Sequence, residues 1–465
     1  YWICAIYLTY DRSTYNHWAN IFNLQLTSWL TLIPSPRHVI GDLVAFKFMK
    51  KILLVLIYFI GILYSLEILS FFFIKDGKNL STKNMNNLKI KAVNKIKNFD
   101  KRKDFEAFKQ VRNQTSIYPS YKLSKNYTLE SDHKNMLKNF LKEKILKGEK
   151  IPFRGPLNKL SLGSNENGVR EIIINDKYGF KNYNKIYENN IDVMIIGDSF
   201  AEGIPFGNKD DVSGIINLNT NYNSINYGIS GAGPLNSLGV LREYGKNFEP
   251  KNIFYFFYEG NDLKNLLDEK NTFLIKYLDR NFNQDLFNSQ VEVQTFLNRF
   301  EEIFDKILPH MIEKEKYNKS KSNNRTVTTS NFVEHLKDII ELQKLKNIII
   351  PKNVYYHENK RLDYKTFEKI IIEMKHDVSK WDGKLTIVYL PDWTRYNKRT
   401  NISHKILKKK IKKIAIKNTV NFIDMDYVFS KNKLDNISLF NLGIYGHYTK
   451  RGYKIVAETI IDKLN

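Results

Sequence analysis

Val193-Met-Ile-Ile-Gly-Asp-Ser-Phe200 decides the fold. The run from Ile191 to Ile196, broken only by Asp192, has the continuous apolar character of a strand buried on both faces of a parallel sheet. It stops abruptly at Gly197-Asp198-Ser199, and open α/β sheets place their chemistry just past the carboxyl ends of such strands. A serine there is exposed at the sheet edge and free to act as a nucleophile. The same residues also describe an ordinary strand-turn-helix junction, with Ser199 or Asp198 capping the next helix. On this stretch alone the capping reading is the better one.

Downstream the pattern repeats. Ser224-Ile-Asn-Tyr227 reads as a second strand running into Gly228-Ile-Ser-Gly-Ala-Gly-Pro234. A helix over 235–246 follows, with Leu235, Leu238, Leu241 and Tyr244 on one face and Pro234 in its first turn. A dinucleotide-binding turn has the same outline. Here, however, the glycines fall as GxxGxG, not GxGxxG, and no acidic residue closes the second strand at the required distance. Asn252-Ile-Phe-Tyr-Phe-Phe-Tyr258 is the third strand. It ends in Glu259-Gly260-Asn261-Asp262, a polar set that a bare turn does not need, although an Asx turn at Asn261 is the plain alternative. Residues 263–380 read as an inserted helical layer, with helical spacing over 266–277, 296–312 and 332–345 and a polar break over 316–330. Leu385–Leu390 is the fourth strand, ending in Pro391-Asp392; a basic amphipathic helix covers 404–417 and Asn421–Asp424 is the fifth strand. Gly446-His447-Tyr448 precedes a last helix over 449–464. Ahead of the first strand lie a polar loop, Gly163-Ser-Asn-Glu-Asn-Gly168, and a short edge strand at Ile172–Ile174. Asn165, Glu166 and Asp176 in this lead-in read as turn formers. Strands alternating with helices predict an α/β domain over 150–465 with a central, mostly parallel, five-stranded sheet.

The front of the chain differs. Residues 1–48 hold Trp2, Trp18 and Trp29, the single cysteine Cys4, one lysine (Lys47) and no glutamate. At Met49 the character changes to Met-Lys-Lys-Ile-Leu-Leu-Val-Leu, so Met49 is expected to be the natural start and 1–48 an upstream extension; a genuine extra segment is the other reading. Ile52 to Ile74 is 23 residues with one charge, Glu67, long enough to cross a bilayer. No small-x-small cleavage site follows, so 49–75 reads as a signal anchor, with the membrane contact made through 52–74. Lys50 and Lys51 favour a cytoplasmic amino terminus and a domain facing the periplasm or outside, although Lys75, Lys78 and Lys83 blunt the asymmetry. Residues 76–149 read as a linker and helical stalk.

The net charge is +24. Lysines are spread through a chain rich in Lys, Asn and Ile, without the aromatic interleaving of a nucleic-acid module, so no nucleic-acid partner is expected. The nine histidines lack metal-ligand spacing, and no metal site is expected.

Taken together, the strand ends resemble the SGNH (GDSL) hydrolase superfamily. Gly197-Asp198-Ser199-Phe200 is similar to its first block, Gly228-Ile-Ser-Gly231 to the second and Gly260-Asn261-Asp262 to the third. His447, followed by Gly452 and the last helix, is similar to the block that supplies the catalytic base. Four short motifs in the right order reverse the odds on Ser199, which now reads as nucleophile rather than cap. The resemblance covers roughly 150–465; the lead-in, with Asn175-Asp176 and Gly179-Phe180, is similar to the segment ahead of the first block in many bacterial extracytoplasmic members, and Tyr258–Leu263, Trp381-Asp-Gly and Tyr389-Leu-Pro391 are similar to an uncharacterised bacterial membrane-anchored subgroup. It implies a three-layer α/β/α sandwich of SGNH/flavodoxin-like form. It also implies a serine esterase in which Ser199 attacks, His447 moves the proton, and Ser199 N–H, Gly231 N–H and the Asn261 amide hold the oxyanion. No cofactor is implied.

One position departs. The family carries an aspartate three residues before the histidine, where this chain has Ile444. The group that orients the imidazole is therefore either absent, leaving a dyad, or supplied from elsewhere; Asp392, Asp424 and Asp426 lie near strand ends. The expected activity is removal of O-acyl, above all acetyl, groups from cell-surface or exported polysaccharide, or from a small ester. Two other readings stay open: an O-acyltransferase using the same residues, and a catalytically inactive glycan-binding or assembly protein.

Overall fold

The computed structural model describes residues 39–73, 92–94, 96, 98–123, 134–323, 362–396, 402–431, 435–443 and 446–465. The chain divides into two units, one of 1–75 with 329–349 and one of 76–328 with 350–465. In the first, the described element is helix α1 (Val39–Phe73). Its stretch Met49–Glu67 has a mean hydropathy of 1.9, long and apolar enough to span a membrane. The junction expected at Met49 falls inside this helix.

The second unit begins with α2 (Asp104–Arg112), β1 (Tyr121–Lys122), α3 (Lys134–Leu146), β2 (Arg154–Gly155), β3 (Leu160–Leu162) and β4 (Ile172–Ile174). Then come β5 (Val193–Gly197), α4 (Ser199–Glu202), α5 (Val212–Asn219), β6 (Ser224–Gly228), α6 (Pro234–Val240) and β7 (Asn252–Tyr258). The chain continues through α7 (Asp262–Glu269), α8 (Gln290–Asn323), α9 (Tyr364–Ser379), β8 (Lys384–Leu390), α10 (Ile402–Lys417), β9 (Asn421–Asp424), α11 (Met425–Lys431) and α12 (Lys450–Leu464).

β5 to β9 form one sheet in the order β6-β5-β7-β8-β9, every neighbour parallel. Alternation along each strand makes the sandwich. Met194, Ile196, Tyr227, Tyr255, Phe257 and Ile387 pack into one cluster with Leu235, Leu238, Ile370, Met374 and Ile411. Val193, Ile195, Phe254, Phe256, Val388 and Ile423 pack into a second with Val212, Ile216, Phe429, Val456 and Ile460. Successive side chains point to opposite faces, so a strand apolar throughout must be covered on both. The result is the expected three-layer α/β/α architecture.

Three local expectations are corrected. Ile172–Ile174 is not an edge of the main sheet; it pairs antiparallel with Leu160–Leu162 in a separate ribbon. The polar break expected from Lys316 is helical as far as Asn323, where a run of polar residues with Lys316, Lys319 and Lys321 suits a solvated helix as well as a loop. Its remainder, with the helix expected over 332–345, lies outside the described residues. The supposed stalk is packed: Leu137, Phe140 and Leu141 of α3 belong to the main core, and the Phe140 and Phe296 rings lie 4.9 Å apart. Phe108 and Ile117 join Leu308 and Ile312 in a third cluster. The apolar stripe that suggested a helix needed a partner, and α8 provides it.

This packing is testable by thermal melts. Phe140→Ala is expected to destabilise the second unit by about 3 kcal/mol, the usual cost of emptying a buried aromatic site. Lys138→Ala on the exposed face should change it by less than about 0.5 kcal/mol. Equal melts for the two variants would leave α3 as a stalk.

Candidate active site

The site lies at the carboxyl ends of β6, β5 and β7, which are neighbours. Gly197 is in register with Gly228 on one side and Phe256 on the other. Gly197 has φ +146, and a Cβ there would meet the Phe256 carbonyl oxygen at 2.8 Å. A Cβ on Gly228 would lie 2.2 Å from the Glu202 nitrogen. These two glycines let the strand ends and α4 close up, which brings three loops together.

The ambiguity over Ser199 resolves by division of labour. Asp198 is the cap of α4, its Oδ1 accepting from the Phe200 N–H at 2.8 Å. Ser199 follows as the first helical residue, and its Oγ lies 2.7 Å from His447 Nε2. His447 is held by its own backbone: Asn441 N–H donates to the His447 carbonyl, Thr449 N–H donates to the Leu439 carbonyl, and Phe440 bridges to Tyr448. Phe200 lies against the imidazole at 4.6 Å between ring centroids and stacks on Tyr258 at 3.9 Å.

The other imidazole nitrogen faces a carboxylate that sequence reading passed over. His447 Nδ1 lies 2.8 Å from Glu166 Oε1, and the His447 backbone N–H donates to Glu166 Oε2 at 3.1 Å. Burial would raise the Glu166 carboxyl, but the bonds from His447 outweigh it and hold it below its ordinary value. Gly446 has φ +91, and a Cβ there would stand 2.9 Å from Glu166 Oε2, so glycine keeps the carboxylate's seat open. Of the three lead-in residues read as turn formers, Asn165 and Asp176 are such: Asn165 Oδ1 accepts from Gly168 N–H, and Asp176 Oδ1 from Tyr178 and Phe180. Glu166 is not. No spacing rule finds a partner 281 positions away. The only local hint is a lone acid in a polar, glycine-flanked loop.

The aspartates considered for this task are engaged elsewhere. Asp392 accepts from the Tyr258 hydroxyl and from Thr394 N–H. Asp424 and Asp426 both pair with Lys408, and Asp426 also with Arg395.

Gly231 and Asn261 occupy the loops after β6 and β7. Gly231 has φ +80. Its loop is held from α7, where Glu269 accepts from Gly233 N–H at 2.6 Å and Leu235 N–H at 2.9 Å, and Asn265 donates to the Gly231 carbonyl at 3.2 Å. From the other side, Glu202 of α4 accepts from Ser230 N–H at 2.7 Å. Glu202 is itself paired with Lys122 at 2.6 Å and Arg154 at 3.0 Å. Burial opposes its ionisation, yet Arg154 and Lys122 hold its carboxyl well below the carboxylate range. The Asn261 amide lies close enough to Asp198 to favour its charged form, although burial still pushes that carboxyl up to about 6. Among the described residues no group of three or more His, Cys, Asp or Glu is placed to hold a metal ion.

No family model matches the chain. No curated protein matches it. Solved structures to which it is similar include TesA, at 9% identity and a TM-score of 0.31, over 59% of this chain and 97% of that one. Another is a member of the lipolytic protein G-D-S-L family from Veillonella parvula, at 11% and 0.30, over 58% and 96%. A third is the lipase/acylhydrolase from Enterococcus faecalis, at 12% and 0.31, over 59% and 95%. The second and third are named as a lipolytic protein and a lipase/acylhydrolase, but values this low carry no argument about activity.

Burial pushes up Asp198 to about 6, Glu259 to about 7 and Glu269 to about 8, against 3.8 and 4.5 for ordinary Asp and Glu. Between about pH 4 and 8 the folded chain keeps protons that the unfolded chain has released, so stability falls as pH rises through that window. The melting temperature is expected to be higher at pH 5 than at pH 8, with a smaller difference in Glu269→Gln. A melting temperature that climbs over this range would contradict the assignment.

Proposed function

We propose that this chain is a serine ester hydrolase of the SGNH type. The observation that carries the reading is the unbroken line Ser199 Oγ, His447 Nε2, His447 Nδ1, Glu166 Oε1, with hydrogen-bonding distances of 2.7 and 2.8 Å at its two ends. Ser199 Oγ attacks the ester carbonyl carbon while its proton passes to Nε2. Glu166 accepts from Nδ1–H, fixes the tautomer and stabilises the imidazolium. The carbonyl oxygen gains charge, and the donors assigned to it are the Ser199 and Gly231 N–H groups and the Asn261 amide, from the loops after β5, β6 and β7. Collapse expels the alcohol, which takes the proton from Nε2 and leaves an acyl-serine. Water then enters, His447 takes its proton, and the carboxylic acid departs with Ser199 restored.

The substrate reading is an O-acylated, chiefly O-acetylated, polysaccharide at or beyond the cell surface, with the chain tethered through α1. The substrate class rests on the resemblance and on this location, and the location is supported by the membrane-spanning length of Met49–Glu67 and by Lys50 and Lys51 at one end. The inactive-protein reading rested on Ile444; a carboxylate at Nδ1 takes that support away.

The test is hydrolysis of p-nitrophenyl acetate by the full chain. Ser199→Ala and His447→Ala are each expected to lower kcat about a thousandfold or more, and Glu166→Gln at least tenfold. A Ser199→Ala rate equal to the parent's would remove this serine from the mechanism.

A further inference from the structure

The loop that delivers Glu166 does not stand by itself. Asn165 Oδ1 closes the turn by accepting from Gly168 N–H at 2.9 Å, while its amide donates to the carbonyl of Asp100. Asp100 N–H in turn donates to the Gly168 carbonyl at 3.0 Å. Asp100 is thus bonded to both ends of the turn, with Glu166 between them. Gly168 has φ +98, and a Cβ there would press on the Phe99 ring at 2.9 Å, so the ring packs directly on the glycine.

Charge reinforces the clamp. Arg170, just after the turn, lies 2.7 Å from Asp104 and 3.4 Å from Asp100, and donates to the Arg102 carbonyl at 3.1 Å. Arg102 donates two bonds to Asp100, at 2.9 and 2.8 Å, and these hold the Asp100 carboxyl below its ordinary value. Both the Arg170 and Asp100 side chains are largely buried, where such pairs are screened less than at a surface.

We infer that residues 98–104, the segment between the membrane-length helix and the catalytic domain, position the catalytic carboxylate. Asn165, Arg170 and Asp100 are then positioning residues that act through Glu166 and touch no reacting atom. The domain from 150 onward carries Glu166 but not the segment that seats it, and displacement of 98–104 lowers the rate by loosening Glu166 and, through it, the imidazole, while Ser199 and the oxyanion donors stay in place. The inference rests on the esterase reading and adds a means of regulating it through a segment that precedes the sheet in the chain.

A double-mutant cycle on the full chain tests it, because groups acting through one residue are non-additive. The readout is the rate at which a fluorophosphonate forms its adduct on Ser199, followed by mass, with a thermal melt for each variant. Asn165→Ala is expected to slow labelling about tenfold in the parent and less than twofold in the Glu166→Gln background. Arg170→Gln leaves the turn intact and releases Asp100 and Asp104; it should show a smaller loss with the same non-additivity. Equal losses in both backgrounds would overturn the inference by giving these residues a general structural role. No loss in the parent would overturn it too, since the clamp would then be unnecessary. A parent protein that forms no Ser199 adduct would overturn the esterase reading itself, and this inference with it.

Discussion

The imidazole of His447 is the point on which the site depends. It has two nitrogens, and each needs a partner fixed by a different part of the fold: Ser199 at the end of β5, and Glu166 in the loop ahead of the sheet. A neutral imidazole aligned at one nitrogen only is free to rotate or to take the wrong tautomer. Glu166 bonds the ring and the backbone N–H of the same residue, so it sets both the position of His447 and its tilt. The surrounding packing serves that alignment: the bridge between Phe440 and Tyr448, the Phe200 ring against the imidazole, and the space left at Gly446.

The second constraint is close approach at the strand ends. Parallel strands end side by side, so three loops meet only if nothing intervenes. Gly197 and Gly228 are the positions where a methyl group would intervene. The glycine loop that follows is braced by two buried acids, Glu202, which is ion-paired, and Glu269, which burial pushes up to about 8. Buried ionic groups are costly to assemble and more costly to leave half-paired. Glu202 has two cations and two donors from Ser230, and Glu269 has two backbone N–H donors. Each carboxylate holds the glycine loop from one side.

Much of this was legible in the sequence because it is local. Five apolar runs each ending in a polar turn read as buried parallel strands, and Ser199, Gly231, Asn261 and His447 each sit within a few residues of an element end. Glu166 was not legible. A carboxylate in a polar loop looks like any turn former, and its role comes from a contact 281 positions away. The packing of α3 was hidden for a related reason: a stripe such as Leu137, Phe140 and Leu141 shows that a helix has a partner, not which one. Ile444 pointed to a missing group correctly, but the search for its replacement stayed among strand ends. The replacement lies upstream of the sheet altogether.

Glu202 also restrains motion within the site. It sits on the four-residue helix that begins with Ser199, and it binds Ser230, the neighbour of Gly231. The nucleophile and the oxyanion cradle are therefore riveted together through one side chain, and that side chain is anchored by Arg154 and Lys122. Such a site has little give between its two halves. On the proposed esterase reading, a site braced in this way selects acyl groups as a gauge does, by bulk, rather than by wrapping itself around whatever arrives.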